Sequence, residues 1–202
     1  MRRAMTPPAM RSPDRYHHGD LRRALLDAAR ALLEERGPAA LNLREIARRV
    51  GVSAPSAYHH FVNRDAIAVA LAEQGFVELL ERLDAAPAEA ERPLAPAGPA
   101  YIAFARANPG LYRLMFGEGF RVASDGGHAV RVLRERVYER AISGLKTRLP
   151  ADQVKVAVLF LWSLTHGLAL LMIDGQVDLG ADPDALIRSV LRLAGTGVPP
   201  SQ

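Results

Sequence analysis

The sequence predicts an all-α protein, three short N-terminal helices ahead of a larger helical bundle, about nine helices in all. Two observations carry this. Between Asn42 and Ile67 two short segments with helix caps are separated only by Gly51-Val52-Ser53, a sharp turn between helices. Farther on, apolar residues recur at helical spacing with no alternating strand pattern to compete, and Val156 to Ile173 is an uncharged run of 18 residues, too long for a strand.

The elements follow in chain order. Residues 1–16 carry arginines and Pro7, Pro8 and Pro13 but no apolar run, so they read as a flexible basic tail, with Met5 and Met10 as alternative starts. Asp20 caps a helix with Leu21, Leu25, Ala28 and Leu32 on one face, and Gly37-Pro38 stops it. Asn42 caps the next, with Glu45 three positions on to complete a reciprocal capping box and Ile46, Ala47 and Val50 facing inward. Gly51 supplies the left-handed residue, Val52 folds back as an apolar plug, and Ser53 caps a third helix in which Ala57 and Phe61 face inward. That leaves Ala54, Pro55, Ser56, Tyr58 and His59 facing outward; Pro55 is tolerated because first-turn amides have no intrahelical acceptor. Asn63 caps a long helix running to about Asp84, with Ile67, Leu71, Phe76, Leu79, Leu80 and Leu83 as its main apolar residues. Arg64 in its first turn opposes the helix dipole, which a nearby phosphate would explain.

Ala86 to Ala100 contains Pro87, Pro93, Pro96 and Pro99 and reads as a connector, so the fifth helix starts late, near Pro99. The rest is helix: Tyr101 to Ala107, a short turn from Pro109 to Phe116, about Gly126 to Leu149, Asp152 to Gly175 and Pro183 to Leu193, with Asp152 and Asp182 as caps of the last two. Glycines at 117, 119, 126 and 127 bracket a loop around Phe120 and Arg121.

Arg44 to Ala47, Gly51 to Ser53, Tyr58 to Phe61 and Asn63 with Arg64 stand in an order and local context that resemble the helix-turn-helix of the tetracycline-repressor family of bacterial regulators. This makes residues 17–66 a helix-turn-helix DNA-binding domain, 67–196 a helical effector-binding and dimerisation domain, and 197–202 a tail. In the second part, Trp162, His166 and Gly167, preceded by Asn108 to Phe116, resemble the Trp-His-Gly class of C-terminal domain found in some members.

Charge agrees with this division. The net charge of +4 splits into +5 over residues 1–70 and −1 over the remainder, as suits phosphate binding by one end only. Cysteine is absent, which excludes disulfides and thiolate chemistry and fits a reducing cytoplasm.

Arg44 corresponds to a family position that reaches a guanine edge, and its guanidinium has the geometry for a bidentate contact. Ala54 and Pro55 offer apolar surface to thymine methyls and Ser56 a hydroxyl, with Ser53 at the helix start; direct readout on these is thin, which leaves a role for DNA shape. Tyr58, His59, His60 and Arg64 match family positions that touch the DNA backbone, and His60 beside Phe61 suits a ring packed at the helix end equally well. For a small, mostly apolar effector the candidates are Phe104, Tyr112, Phe116, Tyr138, Trp162 and His166, each of which also suits an ordinary core.

No metal site or cofactor is expected, since His17-His18 and His59-His60 are adjacent pairs that point apart on a helix. Nor is there a phosphate loop or an activated nucleophile, which argues against an enzyme. Val156 to Ile173 is long enough to span a membrane, but Lys155 and Asp174 bound it and Ser163, Thr165, His166 and Gly167 interrupt it; a helix apolar all round is better buried against its own bundle and a second subunit. The resemblance thus implies a homodimer, joined through the last two helices, that binds double-stranded operator DNA and is released by a small effector. A DNA-binding adaptor that lacks effector response and binds a partner protein through its bundle is the alternative.

Overall fold

The computed structural model describes residues 18–86, 97–117, 127–146, 149–178 and 180–196. The N-terminal tail, His17, most of the proline-rich connector, the loop around Phe120 and Arg121 and the 197–202 tail lie outside the described residues. The rest forms nine α-helices: α1 (His18–Arg36), α2 (Leu43–Val50), α3 (Ala54–His60), α4 (Arg64–Ala85), α5 (Ala97–Ala107), α6 (Pro109–Phe116), α7 (His128–Lys146), α8 (Ala151–Ile173) and α9 (Pro183–Thr196). A 3-10 turn at Pro38–Ala40 joins α1 to α2, and no strand occurs among the described residues.

α2, α3 and α4 follow their N-cap signals closely. The Asn42 side chain accepts the Arg44 amide at 2.9 Å, Ser53 accepts that of Ser56 at 3.3 Å, and Asn63 that of Ala66 at 2.8 Å. Each cap satisfies an amide the helix itself cannot and stabilises its helix by about 1 kcal/mol. Gly51 sits at φ 79°, where an L side chain is strained, and this residue turns α2 into α3. The turn brings Ile46, Ala47, Ala57 and Phe61 together with Leu25, Leu26, Ala29 and Leu33 of α1 in one continuous core. Removing about 25 cal/mol of unfavourable hydration per Å² of apolar area holds these short helices, which are too short to be stable alone.

From there α4 carries the core onward through Ile67, Leu71, Phe76, Leu79 and Leu83, and packs on α5, α6 and α7. α8 lies on α5 and α7, and α9 on α5.

Several expected boundaries shift. α1 begins at His18, so Asp20 is its third residue and lies past the expected cap position. The capping box is half formed: Asn42 caps, but the Glu45 carboxylate is taken by Arg48 and Arg49. α5 starts at Ala97, before Pro99, because proline is tolerated where the first-turn amides lack acceptors. For the same reason Pro109 opens a two-turn helix in place of the expected turn. Pro150 precedes α8 and leaves Asp152 within its first turn, where the carboxylate favours the helix dipole without capping, whereas Asp182 does cap α9 by accepting the Ala185 amide at 2.8 Å.

Candidate DNA-binding face and aromatic cluster

α2 carries three arginines, and the structure separates their roles. Arg49 bonds Glu35 of α1 at 2.7 Å and Glu45 at 3.2 Å, and Arg48 bonds Glu45 at 2.8 Å. Hydrogen bonds from Arg48 and Arg49 hold the Glu45 carboxyl at a pKa of about 2. Arg44 is exposed and its guanidinium has no partner among the described residues, so it alone of the three is uncommitted.

On α3, Pro55, Tyr58 and His59 are exposed and Ala54, Ser56 and His60 half-buried, an arrangement produced by Ala57 turning inward. The Ser53 and Ser56 hydroxyls bond each other at 2.8 Å. The Tyr58 hydroxyl has no partner among the described residues, and the His59 and His60 rings meet edge to face at 5.8 Å. Arg64 is more constrained than a phosphate ligand needs to be. Its guanidinium donates to the Pro38 carbonyl at 2.9 Å and lies 3.7 Å from Asp65, which ties the start of α4 to the 3-10 turn and gives this cation an internal reason to sit at a helix N-terminus. Sequence reasoning also passed over Arg22, whose guanidinium lies over the Phe61 ring at 5.0 Å and braces α1 against the end of α3.

In the bundle, five of the six aromatic candidates form a chain. Tyr138 meets Trp162 at 6.2 Å, Trp162 meets His166 at 6.5 Å, and His166 meets Phe116 at 4.9 Å and Tyr112 at 5.3 Å. Phe104 is not part of it: the ring is fully buried and lies 5.8 Å from the Arg82 guanidinium. Tyr101 takes its place. Its hydroxyl is 3.1 Å from both the Tyr112 hydroxyl and His166 Nδ1, and Tyr112 lies 2.6 Å from the same Nδ1. Burial pushes the Tyr101 phenol up to about 12 and Tyr112 higher still, and burial also lowers the His166 pKa; all three groups are therefore held neutral. Among the described residues, no group of three or more His, Cys, Asp or Glu is placed to hold a metal ion.

Between these two regions lies a polar joint that sequence reasoning missed. Glu34 near the end of α1 accepts the Gly110 amide at 2.7 Å and the Leu111 amide at 3.0 Å, so its carboxylate caps α6 from another helix. Arg30, one turn earlier, bonds Glu78 of α4 at 2.9 Å and Asn108 at 2.7 Å. Gly110 permits the approach, because a Cβ there would collide with the Leu33 carbonyl. The sequence did hold one clue, since Arg30 and Glu34 are four apart on α1, but their partners are more than 40 residues away.

The family model for bacterial regulatory proteins of the tetR family matches residues 25–71, and that for a tetracyclin repressor-like C-terminal domain matches residues 94–194. No curated protein matches the sequence significantly. Among solved structures, a protein of unknown function from Rhodococcus sp. RHA1 is 31% identical over 91% of this chain and 96% of its own, with a TM-score of 0.74. Two more distant structures share the fold. NalD, the secondary repressor of the MexAB-OprM multidrug efflux pump in Pseudomonas aeruginosa, has 23% identity over 90% of this chain and 97% of its own, with a TM-score of 0.64. FadR from Bacillus subtilis, in complex with stearoyl-CoA, has 18% identity over 88% and 99%, with a TM-score of 0.67.

Proposed function

Because this chain belongs to the tetR family of bacterial transcriptional regulators and carries its helix-turn-helix, we propose that it is a repressor that binds a near-palindromic operator as a homodimer and is released by a small effector. The observation that carries the response is the position of α6. Its Tyr112 bonds His166 inside the bundle, while the amides of Gly110 and Leu111, at most two residues away, are held by Glu34 of the reader. A molecule that displaces Tyr112 or Phe116 therefore pulls on α1 through one rigid two-turn helix.

Dimerisation is supported by what a single chain leaves bare. Val156, Leu159 and Phe160 of α8 and Leu186 of α9 are exposed, with Val156 at 69%. A second copy related by a two-fold axis would cover this face with the same face and so join the last two helices of each subunit. The length and hydropathy of α8 also meet the criterion for crossing a membrane, but α8 packs along α5 and α7, and a subunit interface accounts for its apolar outer face. The protein then works in the cytoplasm, with Arg44 reading a base edge, Ser53, Ala54, Pro55 and Ser56 lining the groove, and Tyr58, His59, His60 and Arg64 on phosphates. NalD is a repressor and the FadR structure holds a stearoyl-CoA, two properties consistent with this reading.

Effector and operator would then bind two arrangements of one dimer, and each must weaken the other by the same factor. Selection of binding sites from random duplex DNA at near-physiological salt, followed by footprinting, tests the reading. A palindrome with half-sites roughly 34–36 Å apart is expected. Salt-sensitive binding without a consensus would defeat it.

A further inference from the structure

Tyr101, Tyr112 and His166 form a triangle whose hydrogens can be assigned from its geometry. The angles at the two phenols allow Tyr112 to donate to Tyr101 at 3.1 Å and not the reverse. A phenol has one hydrogen, so the shorter contact, 2.6 Å between the Tyr112 oxygen and His166 Nδ1, has to be bridged by a hydrogen on Nδ1. With Nδ1 bare, Tyr112 either donates to Nδ1 and leaves the two phenol oxygens facing each other with no hydrogen between them, or donates to Tyr101, which in turn donates to Nδ1 at 3.1 Å and leaves the shortest contact, 2.6 Å, with none. Tyr101 ends the relay.

His166 Nε2 is then a bare lone pair, since the bond made by one ring nitrogen fixes the state of the other. It has no partner among the described residues and is not sealed in, because no buried side-chain nitrogen or oxygen there lacks a partner. Phe116 stands edge to face with the imidazole at 4.9 Å, and beyond the ring are Trp162, 38% exposed, and half-buried Tyr138. Among the described residues the surroundings are aromatic, with no charged side chain in hydrogen-bond contact with the ring. A carboxylate there would set its own lone pairs against Nε2 with no cation among the described residues to balance it.

We infer that His166 Nε2 is a hydrogen-bond acceptor for the effector, and that the effector class is a neutral aromatic molecule bearing a hydroxyl or N–H donor. The inference rests on the effector-released reading above and names the ligand chemistry of that site. The ring faces of Trp162, Tyr138 and Phe116 take the apolar body, and Nε2 takes the donor.

Phenol, anisole and benzoate probe this, since phenol and anisole differ in the donor and benzoate replaces it with a charge. With the full chain, phenol should bind about three- to ten-fold more tightly than anisole, the value of one net hydrogen bond, and benzoate more weakly than either. His166→Leu should erase the preference for phenol. Independently of any variant, long-range proton–nitrogen correlation of the His166 ring in the wild-type protein should show the hydrogen on Nδ1. Benzoate binding more tightly than phenol, a phenol preference that survives His166→Leu, or a hydrogen found on Nε2 would each overturn the inference. Phenol held through His166 without loosening operator DNA would leave this site standing and fail the repressor-release reading. Operator release by a donor-free ligand, unaffected by His166→Leu, would support release and overturn the site.

Discussion

In the DNA reader, Ile46, Ala47, Ala57 and Phe61 are all buried by the chain itself, and only Tyr58 and Val62 of its large apolar side chains are exposed. Along α8 the balance is reversed: Val154, Val158, Ala169 and Met172 are buried, while Val156, Leu159, Phe160, Trp162 and Leu171 are exposed. Two parts of one chain thus solve the same problem differently. Reader helices turn their apolar stripe onto α1 and are covered within a single chain. α8 is apolar on every side, so one chain can cover only part of it, and the remainder suits a second copy. The outward groups differ in kind as well: Arg44 and Tyr58 on the reader are polar groups without a partner among the described residues, whereas the exposed face of α8 is apolar.

The largest effect should come from charging the bare face. Leu159→Glu combined with Phe160→Glu places two carboxylates where the fold of one chain buries neither side chain, so the monomer should still fold. Sedimentation should show a monomer, and operator affinity should fall about a hundred- to ten-thousand-fold through loss of the linked second half-site. A folded double variant that still sediments as a dimer would show that the bare face of α8 is not the interface.

A smaller and more local effect is expected at the reader. Arg44→Ala should cost about 1–3 kcal/mol and relax preference at one base position per half-site, because its guanidinium has no partner among the described residues. Arg64→Ala should weaken binding to every sequence alike and lower the salt slope by about one unit. Since Arg64 also holds the Pro38 carbonyl, Arg64→Lys should restore the slope better than it restores thermal stability. Quantitative binding to the selected operator and to random DNA across a salt series separates these outcomes. Equal losses on both DNAs for Arg44→Ala would remove its reading role.

The same contrast explains what could be read from the sequence. Caps at Asn42, Ser53 and Asn63, the left-handed Gly51 and the inward Ala57 and Phe61 act within a few residues of themselves, so the reader was almost wholly legible. The bundle was legible as helices and as an apolar surplus in α8. Its joints were not, because they form between distant residues: Glu34 with Gly110, Arg30 with Asn108, and Tyr101 with His166 are 76, 78 and 65 residues apart. Phe104 and Tyr101 were indistinguishable as aromatics on one helix, and only the crossing of α5 with α8 decides which faces His166. Pro109 misled in a physical way, since the residue that breaks a helix interior also starts one.

The joint at Glu34 is where the two regions meet, and there the smallest effect is expected. Glu34→Gln keeps the shape but replaces one of the two acceptor oxygens with an NH2, so one of the Gly110 and Leu111 amides loses its partner. The loss should be about 1 kcal/mol, in the range of an ordinary cap. Hydrogen exchange should accordingly quicken about five- to ten-fold at those amides and leave the middle of α8 unchanged. The distinguishing result is obtained with operator bound: in the wild-type protein DNA should alter protection along α6, and in Glu34→Gln that response should shrink while operator affinity changes little. If exchange rose equally throughout the molecule, Glu34 would be a general stabiliser. If the response in α6 persisted in the variant, the connection would run through α4, to which Arg30 is anchored at Glu78, and the reader and bundle would communicate along the longer helix.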